Sequence, residues 1–396
     1  MNQAHDPVVI VATKRTPIGQ YLGAFTNVTA PQLASVAIQA TLEQAKIKPA
    51  EIDEVLLGCV LPAGIGQAPA RQASIGAGIP NTIGCTTINK MCGSGMKAIM
   101  LGHDLLLANN GRVILAGGME SMSNAPYLLT KARNGYRMGH GTIYDHMFLD
   151  GLEDAYDKGK LMGVFAERCA EKYHFSRQEQ DEFALTSLTR AQEAINDQFK
   201  AEIAPVIVKA KNEDITVDKD ELPQKANPEK ITKLKPAFKE NGTVTAANSS
   251  AISDGAAVHI LMRRSEADKR KLTPLATIIG HATVAQDPAW FTTAPIYAIQ
   301  KLLEKVNWGV NDVDLFEINE AFAVVTLAAM KELSLPLSKV NIHGGACALG
   351  HPIGASGARI VTTLIYALKQ KGLHRGVAAL CIGGGEATAM AIEVKD

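Results

Sequence analysis

One α/β pattern written twice limits the fold of this chain more than any other feature. Thr29-Ala-Pro31 and Thr293-Ala-Pro295, 264 positions apart, each open an amphipathic run. Threonine offers an N-cap oxygen and proline suits a first helical turn, so both read as helix starts. The first face carries Leu33, Ala37, Ile38, Leu42 and Ala45; the second carries Ile296, Ile299, Leu302, Leu303 and Val306. Strand-like runs keep the same order around them. Val8–Ala12 answers Leu275–Ala285, Asp53–Leu57 answers Val313–Glu317, and Arg112–Gly117 answers Val377–Ile382. Ser94-Gly95 opens a helix running to Asn109, and Ser356-Gly357 opens one from Ala358 to Gln370. Ordered repetition of this kind predicts a duplicated α/β unit of domain size. Its wholly apolar strands are the kind buried on both faces.

A different region separates the copies. Gly64–Gly78 reads as a Gly/Pro-interrupted connection carrying Arg71 and Gln72. Residues 121–163 show weak periodicity, and Ser176-Arg-Gln-Glu179 is a capping box before a long helix through Phe199. Residues 200–240 hold nine lysines, eight acids and four prolines, which predicts a solvated lid or arm. Ala257–Met262 returns the chain to sheet. The expected units are 1–120 plus 249–271, an inserted 121–248, and 272–396.

Charge narrows the partners. With 40 basic and 40 acidic side chains in 396 residues, nothing draws the chain to nucleic acid or an anionic membrane. No apolar run is long enough for a membrane span. Met1–Pro7 contains no arginine, and only the short Val8–Ala12 run follows, so neither a transit nor a signal peptide is expected. Six cysteines without C-x-x-C spacing fit a reducing, cytoplasmic compartment.

Chemistry is expected in four glycine-flanked turns: Asn89–Gly95, Asn319–Ala323, Gly350–Gly357 and Cys381–Gly385. In a doubly wound sheet, reactive groups gather in loops beyond the strand ends. Cys92 lies where a strand turns into a helix, a position that favours thiolate over thiol. A small buried cysteine is the plain alternative. Gly93-Ser-Gly95-Met-Lys-Ala98, with Glu120 further on, mimics a dinucleotide fingerprint. That motif normally follows the first strand of its unit, and here two strand-like runs come earlier. His343, Cys347 and His351 are spaced by four, as metal ligands on a helix would be, but Gly344, Gly345, Gly350 and Pro352 forbid the helix. His351 is either a packed histidine or a base. A nucleophilic cysteine with a histidine suggests acyl transfer, and the second cysteine, Cys381, could take a proton from carbon. The glycines after it expose N–H groups suited to an enolate or thioester oxygen.

These four blocks resemble the signature segments of the thiolase family, nearest its acetoacetyl-CoA-forming branch, and the similarity runs from Val8 to the C-terminus. The resemblance implies two βαβαβαββ halves in a five-layer α-β-α-β-α core with an inserted loop domain. It implies reversible condensation of two acetyl-CoA to acetoacetyl-CoA and CoA through S-acetyl-cysteine. Cys92 would be the nucleophile, His351 its base and an oxyanion-hole donor, and Cys381 the acid/base at the α-carbon. Asn319 would hold a water, and the N–H groups of Cys92 and Gly383 would form a second oxyanion hole. Met162, Phe238, Ser250 and Phe322 would line the pantetheine tunnel. Lys225 would approach the CoA phosphates, since Pro223 stands about where an arginine can. Leu161 and Glu386 also depart from the common pattern. No cofactor or metal is implied, and a homotetramer built through the Cys92 halves and the loop 131–141 is. A 3-ketoacyl-CoA thiolase of β-oxidation is the alternative within the family, and a non-catalytic CoA- or lipid-binding relative the alternative outside that chemistry.

Overall fold

The computed structural model describes residues 6–209 and 213–395. Its first half runs β1 (Val8–Arg15), α1 (Ala30–Ala45), β2 (Glu54–Gly58), α2 (Pro69–Gly76), β3 (Gly84–Ile88), α3 (Ser94–Leu107) and β4 (Val113–Ser121). An intervening stretch carries α4 (Met162–Tyr173) and α5 (Arg177–Ala194) before β5 (Ser253–Arg263) closes the half. The second half follows as β6 (Ala276–Ala285), α6 (Ala294–Val306), β7 (Leu315–Ile318), α7 (Ala323–Leu333), α8 (Ile353–Lys371), β8 (Arg375–Ile382) and β9 (Glu386–Glu393).

Sheet order makes the duplication explicit. The first half is ordered β3-β2-β4-β5-β1 and the second β7-β8-β9-β6. In each, the helix-linked strands pair parallel and the last strand returns antiparallel. The counterpart of β3 has shrunk to Val340, bridged parallel to Phe316 of β7. The sheets meet only where β1 touches β6, at Val9–Thr277 and Ile10–Ala276. α3 and α8 lie between them, burying Met96, Ile99, Ile360 and Leu364 against inward strand residues such as Leu56, Leu261, Leu380 and Met390. α1 and α2 cover one outer face with Leu33, Ile38 and Ala73. α6 and α7 cover the other with Ile299, Leu302 and Val324. The layering is α-β-α-β-α, as expected.

Four local expectations need correction. Residues 69–76 of the supposed connection form α2, because Pro69 begins a helix there instead of interrupting one. α8 starts at Ile353, five residues before the expected Ala358, so Gly354, Ser356 and Gly357 lie inside it. Helices tolerate glycine where another backbone presses close, and a Cβ on Gly357 would stand 2.5 Å from the Met96 nitrogen of α3. Thr29 caps α1 through a capping box. Thr293 gives α6 no side-chain cap, since a 3₁₀ turn (Pro288–Thr293) already precedes it and its hydroxyl donates to Trp290 O at 3.0 Å. Finally, α5 ends at Ala194, short of Phe199.

Candidate active site

Cys92 closes a tight turn between β3 and α3. Met91, just before it, holds a left-handed backbone (φ 47°), a strained state for a residue with a side chain. Three short hydrogen bonds fix the turn: Asn89 Oδ1 accepts from Met91 N at 2.9 Å, Ser94 Oγ accepts from Lys90 N at 2.8 Å, and the same hydroxyl donates to Met91 O at 2.6 Å. Gly93 packs on the end of β8, where a Cβ would lie 2.4 Å from Ile382 Cδ1. The nucleophile turn of one half thus rests beside Cys381 of the other.

The second thiol feels the first. Burial pushes the Cys92 thiol up to about 11, while the N–H groups of Gly383 and of Cys92 itself pull it back by facing the sulfur. Cys381, 1% exposed, is raised further by burial and then by negative charge on Cys92. Both are therefore thiols at neutral pH, and Cys92 needs a base.

His351 can be that base. Burial, and then the Arg359 charge, lower its pKa to about 3, so the imidazole is neutral. Its Nδ1 lies 2.5 Å from Ser356 Oγ, and that hydroxyl is 3.0 Å from Pro352 O. The carbonyl can only accept, so the serine proton goes there and Nδ1–H donates to Ser356 Oγ. The lone pair is then left on Nε2, which is buried without a protein partner. Ser356 supplies this orientation; as a helix-opening Ser-Gly pair it gave no sign of it in the sequence.

Asn319 follows β7, its N–H donating to Ala379 O of β8 at 3.0 Å. The residue is fully buried, yet neither its Oδ1 nor its Nδ2 has a protein partner. Polar atoms in that state are held for water or substrate.

A cavity of about 480 Å³ opens beside Cys92 and His351. Cys92, His351 and Gly383 stand on its wall, with Leu161, Met162, Phe238, Ser250, Phe291 and Phe322 among its mostly apolar lining. Phe322 meets Phe238 and Phe291 edge-on, at 6.0 and 6.4 Å between ring centroids. Cys381 and Asn319 lie outside this lining. Lys225 does too: its ammonium donates to Glu221 at 2.9 Å on the surface, and Pro223 spends its carbonyl on Gln192.

Two further elements of the site had no sequence signal of this role. Glu120, at the end of β4, accepts from Val60 N, Leu61 N and Gly354 N at 2.9 to 3.1 Å, tying the start of α8 to the first half. Burial raises its pKa to about 7. Glu386 pairs with Lys90, so the glycine turn and the nucleophile turn are joined by charge.

The comparisons agree across the whole length. Residues 8–265 match the family model "Thiolase, N-terminal domain", and residues 272–394 match "Thiolase, C-terminal domain". An acetyl-CoA acetyltransferase of Schizosaccharomyces pombe is 47% identical, covering 98% of both chains. One from Arabidopsis thaliana is 48% identical over 98% of this chain and 94% of its own. The crystal structure of the Bacillus anthracis acetyl-CoA acetyltransferase superposes with a TM-score of 0.96 at 43% identity, covering 100% of each chain.

Proposed function

The chain belongs to the thiolase family, and from that premise we propose that it is an acetyl-CoA C-acetyltransferase. It joins two acetyl-CoA into acetoacetyl-CoA and CoA, reversibly, through S-acetylated Cys92. The observation that carries this reading is a cysteine from each half, the buried Cys381 feeling charge on Cys92, beside a neutral histidine whose Nε2 is buried without a protein partner.

His351 Nε2 takes the Cys92 proton as the sulfur attacks the thioester carbon, and Cys381 gives its own proton to the departing CoA sulfur, leaving an imidazolium and the Cys381 thiolate. The resulting oxyanion is met by the N–H groups of Cys92 and Gly383. Each such donor is worth on the order of 3 kcal/mol. Once Cys92 is acetylated, its sulfur can carry no negative charge to oppose that thiolate. The second thiol thus becomes a usable base only once the acyl group is in place. Cys381 takes an α-proton from the second acetyl-CoA. The water held by Asn319 and the imidazolium of His351 steady the enolate, whose carbon attacks the acetyl group and frees Cys92, which takes its proton back from His351. Met162, Phe238, Ser250 and Phe322 pack the pantetheine arm. Lys225 can reach a CoA phosphate only by leaving Glu221. The chemistry calls for no cofactor or metal.

Two copies would pair along β3, an edge strand, and the exposed Leu129, Tyr136, Met138 and Ile143 around segment 131–141 would join dimers into a tetramer. No helix of the described residues is long and apolar enough to cross a membrane; six free cysteines suit a reducing compartment such as the cytoplasm, and acetoacetyl-CoA chemistry suits a place in fatty-acid metabolism.

Labelling by radioactive acetyl-CoA tests the roles. Cys92→Ala takes no label and has no thiolysis. Cys381→Ala takes label but does not condense. A labelled Cys92→Ala protein, or normal turnover by Cys381→Ala, refutes the assignment. Rates across a series of 3-ketoacyl-CoA chain lengths distinguish an acetoacetyl enzyme from a broad-chain one.

A further inference from the structure

Near the end of α3 remote from Cys92, three potential ligand atoms converge. His281 Nε2, on β6, is 3.3 Å from His103 Nδ1 and 3.0 Å from Asp104 Oδ1. His103 Nδ1 and Asp104 Oδ1 are 3.1 Å apart. The imidazoles stand nearly perpendicular, at 86° with centroids 5.0 Å apart, so their nitrogens meet without ring stacking. Both histidine side chains are mostly buried, at 12% and 10% exposure, whereas that of Asp104 is 52% exposed and opens the cluster to water.

We propose that His103, Asp104 and His281 bind a divalent transition-metal ion such as zinc. A tetrahedral ion with bonds of about 2.0–2.1 Å holds its ligands roughly 3.3 Å apart, and octahedral neighbours lie slightly closer. All three separations fall in that range, so one point can satisfy all three atoms at bonding distance. Two imidazoles with one carboxylate suit zinc, cobalt or nickel better than magnesium or calcium, which prefer all-oxygen sites. Solvent on the Asp104 side completes the coordination. For binding, His281 carries its proton on Nδ1 and His103 on Nε2, leaving the facing nitrogens as lone-pair donors. Lys305 opposes the ion mildly, since its ammonium donates to His281 O at 3.1 Å. The carboxylate of Asp104 offsets that charge.

The ion would join the two halves, because α3 belongs to one and β6 to the other. It would sit about 15 Å along α3 from the nucleophile turn, counting ten residues at the helical rise. That distance removes it from the chemistry and makes it a clasp.

The test uses the full chain, stripped of metal by chelator and titrated with Zn²⁺ and with Co²⁺. The expected result is one ion per chain and a melting temperature that rises with Zn²⁺. Cobalt should show visible ligand-field bands without thiolate-to-cobalt charge transfer, which separates this site from the cysteines. His281→Gln and Asp104→Asn should each bind about tenfold or more weakly. Their metal-free melting curves show whether they have folded, and wild-type chain carries the test if they have not. Failure to bind a stoichiometric ion, unchanged affinity in folded variants, or a sulfur charge-transfer band would overturn the proposal. Any of these would leave the three groups a hydrogen-bonded cluster only.

Discussion

A neutral imidazole beside a neutral thiol makes an unusual pH dependence at the level of single residues. His351 has a lowered pKa, so its active unprotonated form is lost only as pH falls through about 3. Cys92 has a raised one and stays a thiol up to about 11. Acetylation of Cys92 should therefore lack the inflection near pH 6.5 that an ordinary histidine gives. Of the groups whose charge acts on Cys92, Glu120 titrates near neutrality. Glu120 ionises above about 7, and its negative charge raises the Cys92 pKa. The acetylation rate should thus fall severalfold as pH rises through 7, and Glu120→Gln should flatten that step even if it slows the enzyme throughout. Rapid-quench acetylation from pH 5 to 9 measures both; a limb at 6.5 shared by the two proteins would contradict it. Glycine-flanked turns singled out Cys92, His351 and Gly383, which the structure sets on one cavity wall, while Asn319 and Cys381 from the same turns lie outside that lining. Ser356 and Glu120 were not legible, since each acts by a hydrogen bond to a group distant in sequence or hidden within a helix.

Among the elements, the crossing of α3 and α8 is a close fit. Gly95 and Gly357 face each other's backbones there: a Cβ on Gly95 would lie 2.8 Å from Ala358 N, and one on Gly357 2.5 Å from Met96 N. Neither helix can yield without moving Cys92 or His351, which open them. Gly357→Ala should cost about 1–3 kcal/mol in urea unfolding, and acylation should slow along with it. Gly84→Ala, with nothing within 4 Å of the added carbon, should leave the stability of the chain nearly unchanged. Equal losses for both would mean that the crossing is looser than drawn. The same glycines explain why the start of α8 was misjudged. Glycine normally weakens a helix, and only the neighbouring backbone, invisible in a local pattern, makes it necessary. The Lys90–Glu386 pair joins two other elements across the site. With side chains 22% and 34% exposed, it is worth only about 0–1 kcal/mol, so Glu386→Gln should shift the melting temperature little.

For the whole molecule, a repeat offset of 264 residues foretold two like halves, because hydrophobic period and capping are local signals that survive duplication. How the intervening stretch docks was not legible, since its anchor joins residues some 200 positions apart. Arg15, on β1, is fully buried and grips that stretch at two points: Nε donates to Glu202 Oε1 at 2.5 Å, and the two terminal nitrogens reach Asp220 at 2.7 and 2.9 Å. Asp220 also accepts from Ile18 N, and Thr363 of α8 donates to Glu202 at 3.1 Å. The stretch that walls the cavity with Leu161, Met162 and Phe238 is therefore pinned to the first half through the Arg15 guanidinium and to the second through Thr363. Removing that cation leaves two carboxylates uncompensated in a dry interior, which costs about 3–5 kcal/mol. Arg15→Met should lose stability on that scale, and proteolysis should cut first between residues 197 and 235. Arg15→Lys should recover only part of the loss, because an ammonium cannot match the forked contact with Asp220. If Arg15→Met melts within a degree or two of the parent and resists protease equally, the stretch is held by its apolar contacts with Phe199 and Ile231 instead, and the charge cluster is incidental to its docking.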